Sequence, residues 1–464
     1  MGRARRWGRA LACALAISCT GGGEGEGGGD GTSASDGSGD GGGSVAGEGS
    51  ASGTAGDTGS ASADDSTGGD GPTTGAADCD PVGFWNEPPA GPTPLSRDQT
   101  GAPVTGSFPS LSADGRYMAY CSFADPTGEA PSGNLFAIYV YDAVCDTTTW
   151  VPFEGPADPI TEAIDPVISD DGSTVVFATR DSDQEGHIYV ADVPSGTIDP
   201  VDVDSDGNVA GTGLWHYEPS ADGRFVAFHT DRPLVPEDFY DTDVYVLDRD
   251  TGDLELVCPE EEGVFSWCAS PSISADGRYV AYERPPLVLV YDRMTGTKQE
   301  VSHSPPPSNN TAMSGGPSIS GDGRYVAFHS DKNDLVADDT NTTTDVFVRD
   351  RETDELIRIL DPDGVQFTGP SAIPEISGDG NVVVFVMGWY GAGSPPAQIY
   401  AWERTTNTTR LVSQTAEGEV ASQPSSFGKV SADGHWAVFE SNAPNLLPGD
   451  MPSGGWYAYA VALP

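Results

Sequence analysis

The sequence has few basic residues. It contains 22 Lys and Arg against 71 Asp and Glu, which gives a formal net charge of −49 at pH 7. A surface with this charge repels nucleic acids and anionic lipids, and it favours cations or basic partners. We therefore expect no nucleic-acid partner, although solubility alone also explains the charge.

Helical periodicity is absent, and the apolar stretch near the N-terminus is short. Ala10–Ser18 is too short to cross a membrane as a mature helix, and it follows a basic head that contains four arginines. Its end, Leu15–Cys19, resembles a bacterial lipobox, in which a small residue precedes the cysteine. The resemblance implies a signal peptide over residues 1–18 and lipidation of Cys19. An ordinary signal peptide that is cleaved nearby is the alternative.

Residues 20–78 lack aromatic and basic residues altogether. They consist of Gly, Ser, Ala, Thr, Asp and Glu with one Val and one Pro. Such a segment cannot bury enough apolar surface to fold, so we predict a flexible tether over residues 19–78. With a lipid on Cys19, the tether predicts an outer-membrane lipoprotein of the bacterial cell envelope, which faces the periplasm or the surface.

The rest of the chain contains one phrase seven times. Two clear copies are PSISADGRYVAY at Pro271–Tyr282 and PSISGDGRYVAF at Pro317–Phe328. The Asp-Gly pairs of the seven copies, 46 to 57 residues apart, begin at Asp114, Asp171, Asp222, Asp276, Asp322, Asp379 and Asp433. A period of this size is typical of modular arrays, in which each unit buries its apolar faces against its neighbours.

Each repeat predicts four short antiparallel strands. The Ser-x-Asp-Gly core favours a tight turn, because Asp can bond its own backbone and Gly allows a positive φ. The run that follows, such as Arg-Tyr-Val-Ala-Phe, is β-branched and aromatic, and two further strand-like runs complete the unit. Four-stranded repeats arranged radially form a β-propeller, so we predict an all-β, seven-bladed propeller over residues 79–464.

The ends of the repeat array predict how the ring closes. The last unit stops at Trp456–Leu463, its third strand, whereas Thr93–Ser110 parallels the fourth strand and crossover at Thr409–Ser425. We therefore predict that Pro94–Ser96 supplies the fourth strand of blade seven. Closure removes a sheet edge that could template association, and we expect a monomer.

These hairpins resemble the TolB-type propeller repeat, a relative of WD-type repeats that is found in bacterial export proteins. The resemblance rests on the seven SxDGRYVAF-like hairpins and on strands such as Asp345–Asp350 (DVFVRD), and it covers residues 93–464. It implies the fold and little about function. TolB itself has an N-terminal α/β domain where this chain has the tether, and its propeller has fewer blades.

Five cysteines follow the signal segment. Cys258 and Cys268 flank one crossover between repeats, so we predict that they form a disulfide, which export permits. Cys79 could pair with Cys145 or with Cys121, which leaves one thiol unpaired. None of the five has CxxC spacing, so we expect no metal or redox role for them.

Two acidic loops are candidate cation sites. The first, Leu335–Asp345, contains Asp338, Asp339, Asn341 and Asp345, and the second, Pro236–Asp243, contains Asp238, Asp241 and Asp243. Oxygen ligands at this density suit Ca²⁺. We predict Ca²⁺ at Asp338, Asp339, Asn341 and Asp345, with a solvated acidic turn as the alternative.

The sequence contains none of the common catalytic motifs: no GxSxG elbow, no Gly-rich phosphate loop and no HExxH. His229 and His329 share one repeat position, and we assign them to structure. We therefore predict a non-enzymatic scaffold without a certain cofactor, which holds a protein, peptide or glycan at one rim or in the channel. A propeller lyase or hydrolase that acts on an envelope or extracellular polymer is the alternative.

Overall fold

The computed structural model describes residues 91–464 apart from 99, 131–135, 154–161, 181–185, 212–215, 237, 239–241, 259–266, 307–309, 389–395 and 447–454. The predicted signal segment, Cys19, the tether and Cys79 lie outside the described residues. Within those residues we find no helix with the length and apolar character needed to cross a membrane.

Seven four-stranded antiparallel sheets make up the structure, and they confirm the predicted seven-bladed propeller. Blade one consists of β2 (Ser107–Leu111), β3 (Tyr117–Ser122), β4 (Ala137–Asp142) and β5 (Thr147–Trp150). Blade two consists of β6 (Glu162–Ile168), β7 (Thr174–Arg180), β8 (Gly186–Asp192) and β9 (Thr197–Pro200). Blade three consists of β10 (Tyr217–Pro219), β11 (Phe225–Thr230), β12 (Asp243–Asp248) and β13 (Asp253–Leu256). In blades one to six, the four strands pair in chain order.

Blades four to seven continue the same order. Their strands are β14 (Ala269–Ile273), β15 (Tyr279–Arg284), β16 (Leu287–Asp292), β17 (Thr297–Glu300); β18 (Ser314–Ile319), β19 (Tyr325–Ser330), β20 (Asp345–Asp350), β21 (Leu356–Arg358); β22 (Ser371–Ile376), β23 (Val382–Met387), β24 (Gln398–Glu403), β25 (Thr408–Leu411); β26 (Ser425–Val430), β27 (Trp436–Ser441) and β28 (Tyr457–Ala462). A short 3₁₀ helix, Pro444–Leu446, lies between the last two strands.

Blade seven is completed by the N-terminal strand β1 (Thr93–Pro94), as predicted. Thr93 lies opposite Ala460, and the Leu95 N–H donates to the Ala458 carbonyl over 2.9 Å. The strand ends earlier than predicted because the Ser96 hydroxyl turns away from the sheet and donates to the Val104 carbonyl at 2.6 Å. Both chain ends therefore meet in one blade.

The repeated motif forms a turn whose Asp has a structural role. In blade four, Asp276 accepts hydrogen bonds from the Ser274 hydroxyl at 2.8 Å and from the Arg278 N–H at 3.0 Å. Gly277 has a φ of +72°, and a Cβ there would lie 2.2 Å from the Phe225 ring of the preceding blade. The glycine thus supplies the turn conformation and also lets the neighbouring aromatic ring pack on it.

The apolar core lies between adjacent blades. One cluster joins Val290 of blade four to Phe328 of blade five, and another joins Trp436 of blade seven to Tyr120 of blade one. At one end of the channel, backbone hydrogen bonds link every blade to the next. The Ala113 N–H of blade one donates to the Asp170 carbonyl of blade two (2.8 Å), and the last bond of the ring runs from the Asp433 N–H of blade seven to the Ala113 carbonyl (3.1 Å). This closed ring holds the innermost strands in place.

Candidate functional site in the central channel

The innermost strands β2, β6, β10, β14, β18, β22 and β26 line a cavity of about 100 Å³ along the propeller axis. One repeat position, four residues before the turn Asp, faces it in several blades. Its occupants in blades one to seven are Ser110, Val167, Glu218, Ser272, Ser318, Glu375 and Lys429. Three charged side chains therefore replace the serine that the other repeats favour.

The serines at this position hold neighbouring blades together. The Ser110 hydroxyl accepts from the Ile168 N–H of blade two at 3.1 Å, and Ser272 and Ser318 accept in the same way at 3.0 Å. The blades that carry Glu218, Glu375 and Lys429 pack against their neighbours without this serine hydrogen bond. These three side chains are therefore not needed for that role. They place three charged side chains in one cavity.

Lys429 of blade seven and Glu375 of the adjacent blade six form an ion pair at the channel wall. The Lys429 ammonium donates to Glu375 Oε1, and the other Glu375 oxygen lies 3.4 Å from the Ser318 hydroxyl. The two side chains remain 33% and 20% exposed, so the pair faces the cavity. Burial alone would lower the pKa of Lys429, but the carboxylates of Glu375 and Glu218 outweigh it and raise that pKa.

Glu218 is the neutral acid of this cluster. Burial raises its pKa to about 8, and the Glu375 carboxylate adds to the shift, while Lys429 and the Ser272 hydroxyl oppose it. Glu218 therefore keeps its proton to a higher pH than an ordinary carboxyl group does. Glu218 is thus a proton donor at neutral pH.

Two further carboxyl groups, those of Asp165 and Asp170, have pKa values raised by burial. Burial raises the pKa of Asp165 to about 6, with Lys429 opposing the shift and Glu375 adding to it. Asp170 belongs to the hydrogen-bonded ring at the channel end, and burial raises its pKa to about 6 as well. Three carboxyl groups and one ammonium group therefore line the cavity, and Asp165 interacts electrostatically with two of them, Glu375 and Lys429.

His216 lies beside these charges. Burial lowers its pKa to about 3, and His229 and Lys429 add to that shift. Its Nδ1 has no hydrogen-bond partner among the residues described. A neutral imidazole at this place can accept a hydrogen bond from a ligand.

A β-bulge in the innermost strand recurs around the ring. Its residue, six before the turn Asp, has a positive φ in six blades: Phe108, Asp165, Ser270, Gly316, Ile373 and Phe427. In blade three His216 holds the position, and β10 pairs with β11 without a register shift. The bulge turns this side chain relative to a regular strand, as bulges near active sites often do.

Side chains of the second strand cap the bulges of the next blade. Glu440 Oε2 accepts from the Phe108 N–H at 3.2 Å, Glu283 Oε2 from the Gly316 N–H at 3.1 Å, and His229 Nδ1 from the Ser270 N–H at 3.2 Å. These contacts confirm the structural role predicted for His229. Burial raises the pKa of Glu440 to about 7.

The predicted Ca²⁺ residues do not line the channel cavity. Arg358 lies 3.0 Å from Asp338 and 3.6 Å from Asp339, and the Gln366 amide donates to Asp339 and Asp345 at 2.8 Å each. The Asn341 amide donates to the Phe367 carbonyl at 3.2 Å. The loop thus collects its acidic groups around Arg358 and Gln366. In the second loop, Asp238 accepts from the Tyr245 hydroxyl, while Asp241 lies outside the described residues.

Cys258 and Cys268, the predicted pair, are joined by a disulfide, and their Cα atoms lie 6.4 Å apart. Cys145 is also disulfide-bonded. Cys121 is buried, and its Sγ lies 3.5 Å from the Ser107 carbonyl oxygen.

Motif analysis missed Asp165, Glu218, Glu375 and Lys429. They come from blades two, three, six and seven, so no local spacing connects them. The available signal was the alignment of the repeats, in which one position changes from Ser to Glu or Lys. Comparison of the seven copies at that position would have found Glu218, Glu375 and Lys429.

No protein-family model matches the chain, and no curated protein matches it. Among solved structures, an oligogalacturonate lyase in complex with manganese is 14% identical over 80% of this chain and 96% of that chain, with a TM-score of 0.51. The oligogalacturonate lyase of Vibrio parahaemolyticus is 13% identical over 81% and 92%, also at 0.51. The putative TolB of Agrobacterium tumefaciens is 17% identical over 68% and 94%, at 0.40. At these identities the similarities establish the fold alone.

The prediction that this chain is not an enzyme is wrong. The two lyases show that catalysis occurs on this fold, and the missing motifs were a poor guide because the charged residues of the channel come from separate blades. The seven four-stranded sheets confirm the propeller fold that the resemblance of the repeats implied. The chain is therefore a β-propeller with seven blades.

Proposed function

We propose that this chain cleaves a glycan in its central channel by acid–base catalysis, as a propeller hydrolase or lyase. One observation carries the proposal: two carboxyl groups of the same cavity lie in unlike environments, Glu218 kept neutral by burial and Glu375 held by Lys429. Enzymes that cleave glycosidic bonds use such a pair, one as the acid and one as the carboxylate.

In the hydrolytic form of this reaction, Glu218 gives its proton to the leaving sugar oxygen as the bond from that oxygen to carbon breaks. Glu375 takes a proton from the attacking water, whose oxygen forms the new bond to carbon. Lys429 holds the Glu375 carboxylate in place and offsets the charge of Asp165. Glu218 then regains a proton from solvent, and Glu375 releases to solvent the proton that it took from the water.

A manganese ion does not fit this channel. The Lys429 ammonium already lies among the carboxylates. In the described part of the chain, only Asp243, Cys258 and Cys268 bring three potential ligand atoms within 4.8 Å of one another, and both sulfurs belong to the disulfide. The proposed chemistry therefore uses side chains alone.

The charge of the channel favours an uncharged or cationic glycan. An oligogalacturonate, the substrate class of the two lyases, has a carboxylate on every unit. Three carboxyl groups and one ammonium group line the cavity, within a chain of net charge −49. A polyanionic substrate would be repelled both at the surface and in the site.

The test is cleavage of a panel of purified oligosaccharides (neutral, amine-bearing and uronate) by the propeller. New reducing ends report any cleavage, and ultraviolet absorption of an unsaturated product distinguishes elimination from hydrolysis. Glu218→Gln should reduce kcat/KM about 100-fold or more, because a proton donor contributes at least that much. Activity should also fall above about pH 8, as Glu218 loses its proton.

Asp206→Asn, at an exposed position outside the channel, is the matched control and should leave activity unchanged. If no oligosaccharide of the panel is cleaved, or if Glu218→Gln and Asp206→Asn behave alike, the proposal is wrong.

A second candidate site supports the binding scaffold predicted from the sequence. A groove of about 900 Å³ lies between blades two and three, within the size range of ligand pockets. Its walls include Asp192, Asp199, Asp204 and Asp253 together with Arg224. This composition favours a basic peptide. Fluorescence titration with a lysine-rich peptide at constant ionic strength tests it, and Asp199→Asn with Asp253→Asn should weaken the binding.

We also propose that the propeller is held at the cell envelope through a lipid on Cys19. The sequence pattern supports this, since a basic head and a short apolar stretch precede Ser18-Cys19 and a long tether follows. Cys19→Ser should release the protein from membranes into the soluble fraction. Mass spectrometry that finds an unmodified mature N-terminus at another residue would refute lipidation.

A further inference from the structure

The groove between blades two and three lies where the repeat lacks two of its side chains. In four blades the turn Asp-Gly is followed by an arginine and then by an aromatic residue: Arg116–Tyr117, Arg224–Phe225, Arg278–Tyr279 and Arg324–Tyr325. Blade two has Ser173 and Thr174 at these two positions. The arginine and the ring that blades one and three carry are therefore absent from the blade between them.

Each of the four arginines binds an aspartate at the end of the third strand of its own blade. The Nη2–Oδ2 distances are 2.9 Å for Arg116–Asp142, 2.7 Å for Arg224–Asp248, 2.8 Å for Arg278–Asp292 and 2.7 Å for Arg324–Asp350. A second hydrogen bond, from Nε to Oδ1, makes each pair bidentate. Blade two keeps the aspartate, Asp192, which lines the groove. In the described part of the chain its carboxylate accepts from the Ser195 N–H at 2.9 Å and has no arginine partner.

An arginine of the next blade covers the aromatic ring from the other side. The Cζ of Arg293, in blade four, lies 4.5 Å from the centroid of the Phe225 ring in blade three. Arg249 holds the same repeat position in blade three, and it donates to the Gly223 carbonyl at 2.8 Å and to the Thr174 hydroxyl at 3.2 Å. Arg249 lines the groove, and among the residues that the structure describes no aromatic ring stacks on it.

Blade six also lacks the arginine and the ring, but it lacks their surroundings as well. It has Asn381 and Val382 at the two positions, and Glu403 in place of the aspartate. Both oxygens of Glu403 accept from threonine hydroxyls, at 2.6 and 3.0 Å. Blade seven has Leu463 where blade three has Arg249. Blade two thus differs from blade six, because it keeps both the acid and the covering arginine.

The groove also has an excess of negative charge. Two arginines line it, together with six aspartates: Asp192, Asp199, Asp204, Asp222, Asp250 and Asp253. Arg224, one of the two arginines, is already paired with Asp248 at 2.7 Å and with Asp250 at 3.1 Å. The carboxylate of Asp192 therefore complements a cation from outside, and the guanidinium face of Arg249 complements an aromatic ring.

We propose that the groove binds a peptide segment in which an arginine is followed by an aromatic residue. The arginine binds Asp192 through two hydrogen bonds, as Arg224 binds Asp248. The aromatic ring packs on the guanidinium group of Arg249. The peptide thus supplies the two side chains that blade two lacks. This inference deepens the basic-peptide site proposed for the groove, and it rests on that proposal for the entry of a peptide.

Fluorescence anisotropy with the full-length protein tests the inference. The probes are four dye-labelled hexapeptides that differ only at their two central residues, which are Arg-Tyr, Lys-Tyr, Arg-Ala or Ala-Tyr. At constant ionic strength we expect the Arg-Tyr peptide to bind at least tenfold more tightly than each of the others. Lysine cannot form the bidentate pair with a carboxylate, and alanine cannot stack on a guanidinium group.

Variants of the protein identify the two contacts. Asp192→Asn should reduce the preference for Arg-Tyr over Lys-Tyr to near unity, whereas Asp363→Asn, which removes one exposed charge in another crossover, should leave it intact. The double variant Ser173→Arg with Thr174→Phe restores in blade two the pair that blade three has. It should abolish binding of the Arg-Tyr peptide while the melting temperature stays unchanged or rises, because the chain's own side chains then occupy the site.

Equal affinity for all four peptides, an arginine preference that survives Asp192→Asn, or undiminished binding to the double variant would overturn the inference. If the lysine-rich peptide binds the groove and the Arg-Tyr peptide has no advantage over Lys-Tyr, only this inference is wrong. If neither the lysine-rich peptide nor the Arg-Tyr peptide binds, the basic-peptide site itself is wrong as well.

Discussion

Glu440 provides a direct test of how the buried acids of this propeller control its stability. Its side chain is fully buried, and its oxygens accept hydrogen bonds from the Phe108 N–H at 3.2 Å and the Ser426 hydroxyl at 2.9 Å. Burial raises its pKa from the ordinary 4.5 to about 7 in the folded state. The folded chain therefore binds this proton more tightly than the unfolded chain does.

The sign of the effect follows from proton linkage. Between pH 4.5 and 7 the native state holds more protons than the unfolded state, so the free energy of unfolding falls as pH rises. The stability that Glu440 contributes is complete below pH 4.5 and is lost as pH passes its folded pKa. A shift of this size corresponds to about 3 kcal/mol, at 1.36 kcal/mol per pKa unit.

The assay is urea-induced unfolding of the wild-type propeller and Glu440→Gln at intervals from pH 4 to pH 9. Because Gln cannot ionise, the variant should gain stability relative to wild type as pH rises, by about 3 kcal/mol across the range. Glu417→Gln, at an exposed position, is the control and should give a curve parallel to wild type. If the Glu440→Gln curve is also parallel to wild type, the buried carboxyl does not act as argued.

Three further predictions follow from the ring, the turns and the acidic loop. Removal of residues 1–100 should lower the melting temperature and promote oligomers by exposing the edge of blade seven, whereas removal of residues 1–78 should do neither. Gly277→Ala should cost more stability than Gly296→Ala in urea unfolding, since both have a positive φ but only Gly277 lies against an aromatic ring, and equal losses would refute the packing argument. Ca²⁺ should bind the loop that contains Asp338 and raise the melting temperature more than Mg²⁺ or matched NaCl does. Arg358→Gln should enlarge this difference between the salts, because Arg358 competes with Ca²⁺ for the Asp338 carboxylate. Equal shifts with all three salts would show a solvated turn.

The repeats explain why the fold could be predicted in such detail. A turn such as Ser274–Gly277 is a local structure, and its residue types determine its conformation wherever it occurs. Seven copies at a regular period then predict seven blades, and the missing strand after Leu463 predicts closure through the N-terminal strand. All of these inferences depend on contacts between residues that are close in sequence or related by the repeat.

The candidate site depends on contacts of another kind. Glu218, Glu375 and Lys429 are separated by 54 residues or more, and only the closed ring brings them into one cavity. Burial, which keeps Glu218 neutral, is a property of the assembled channel and not of its neighbours in sequence. The bulges that turn Ile373 and Phe427 also arise from strand pairing within each sheet. The sequence alone therefore determined the repeat, the blades and their closure, because local turn chemistry dictates them. Only the tertiary structure decided which side chains share the channel and in which protonation state, because both depend on distance and solvent access in the closed ring.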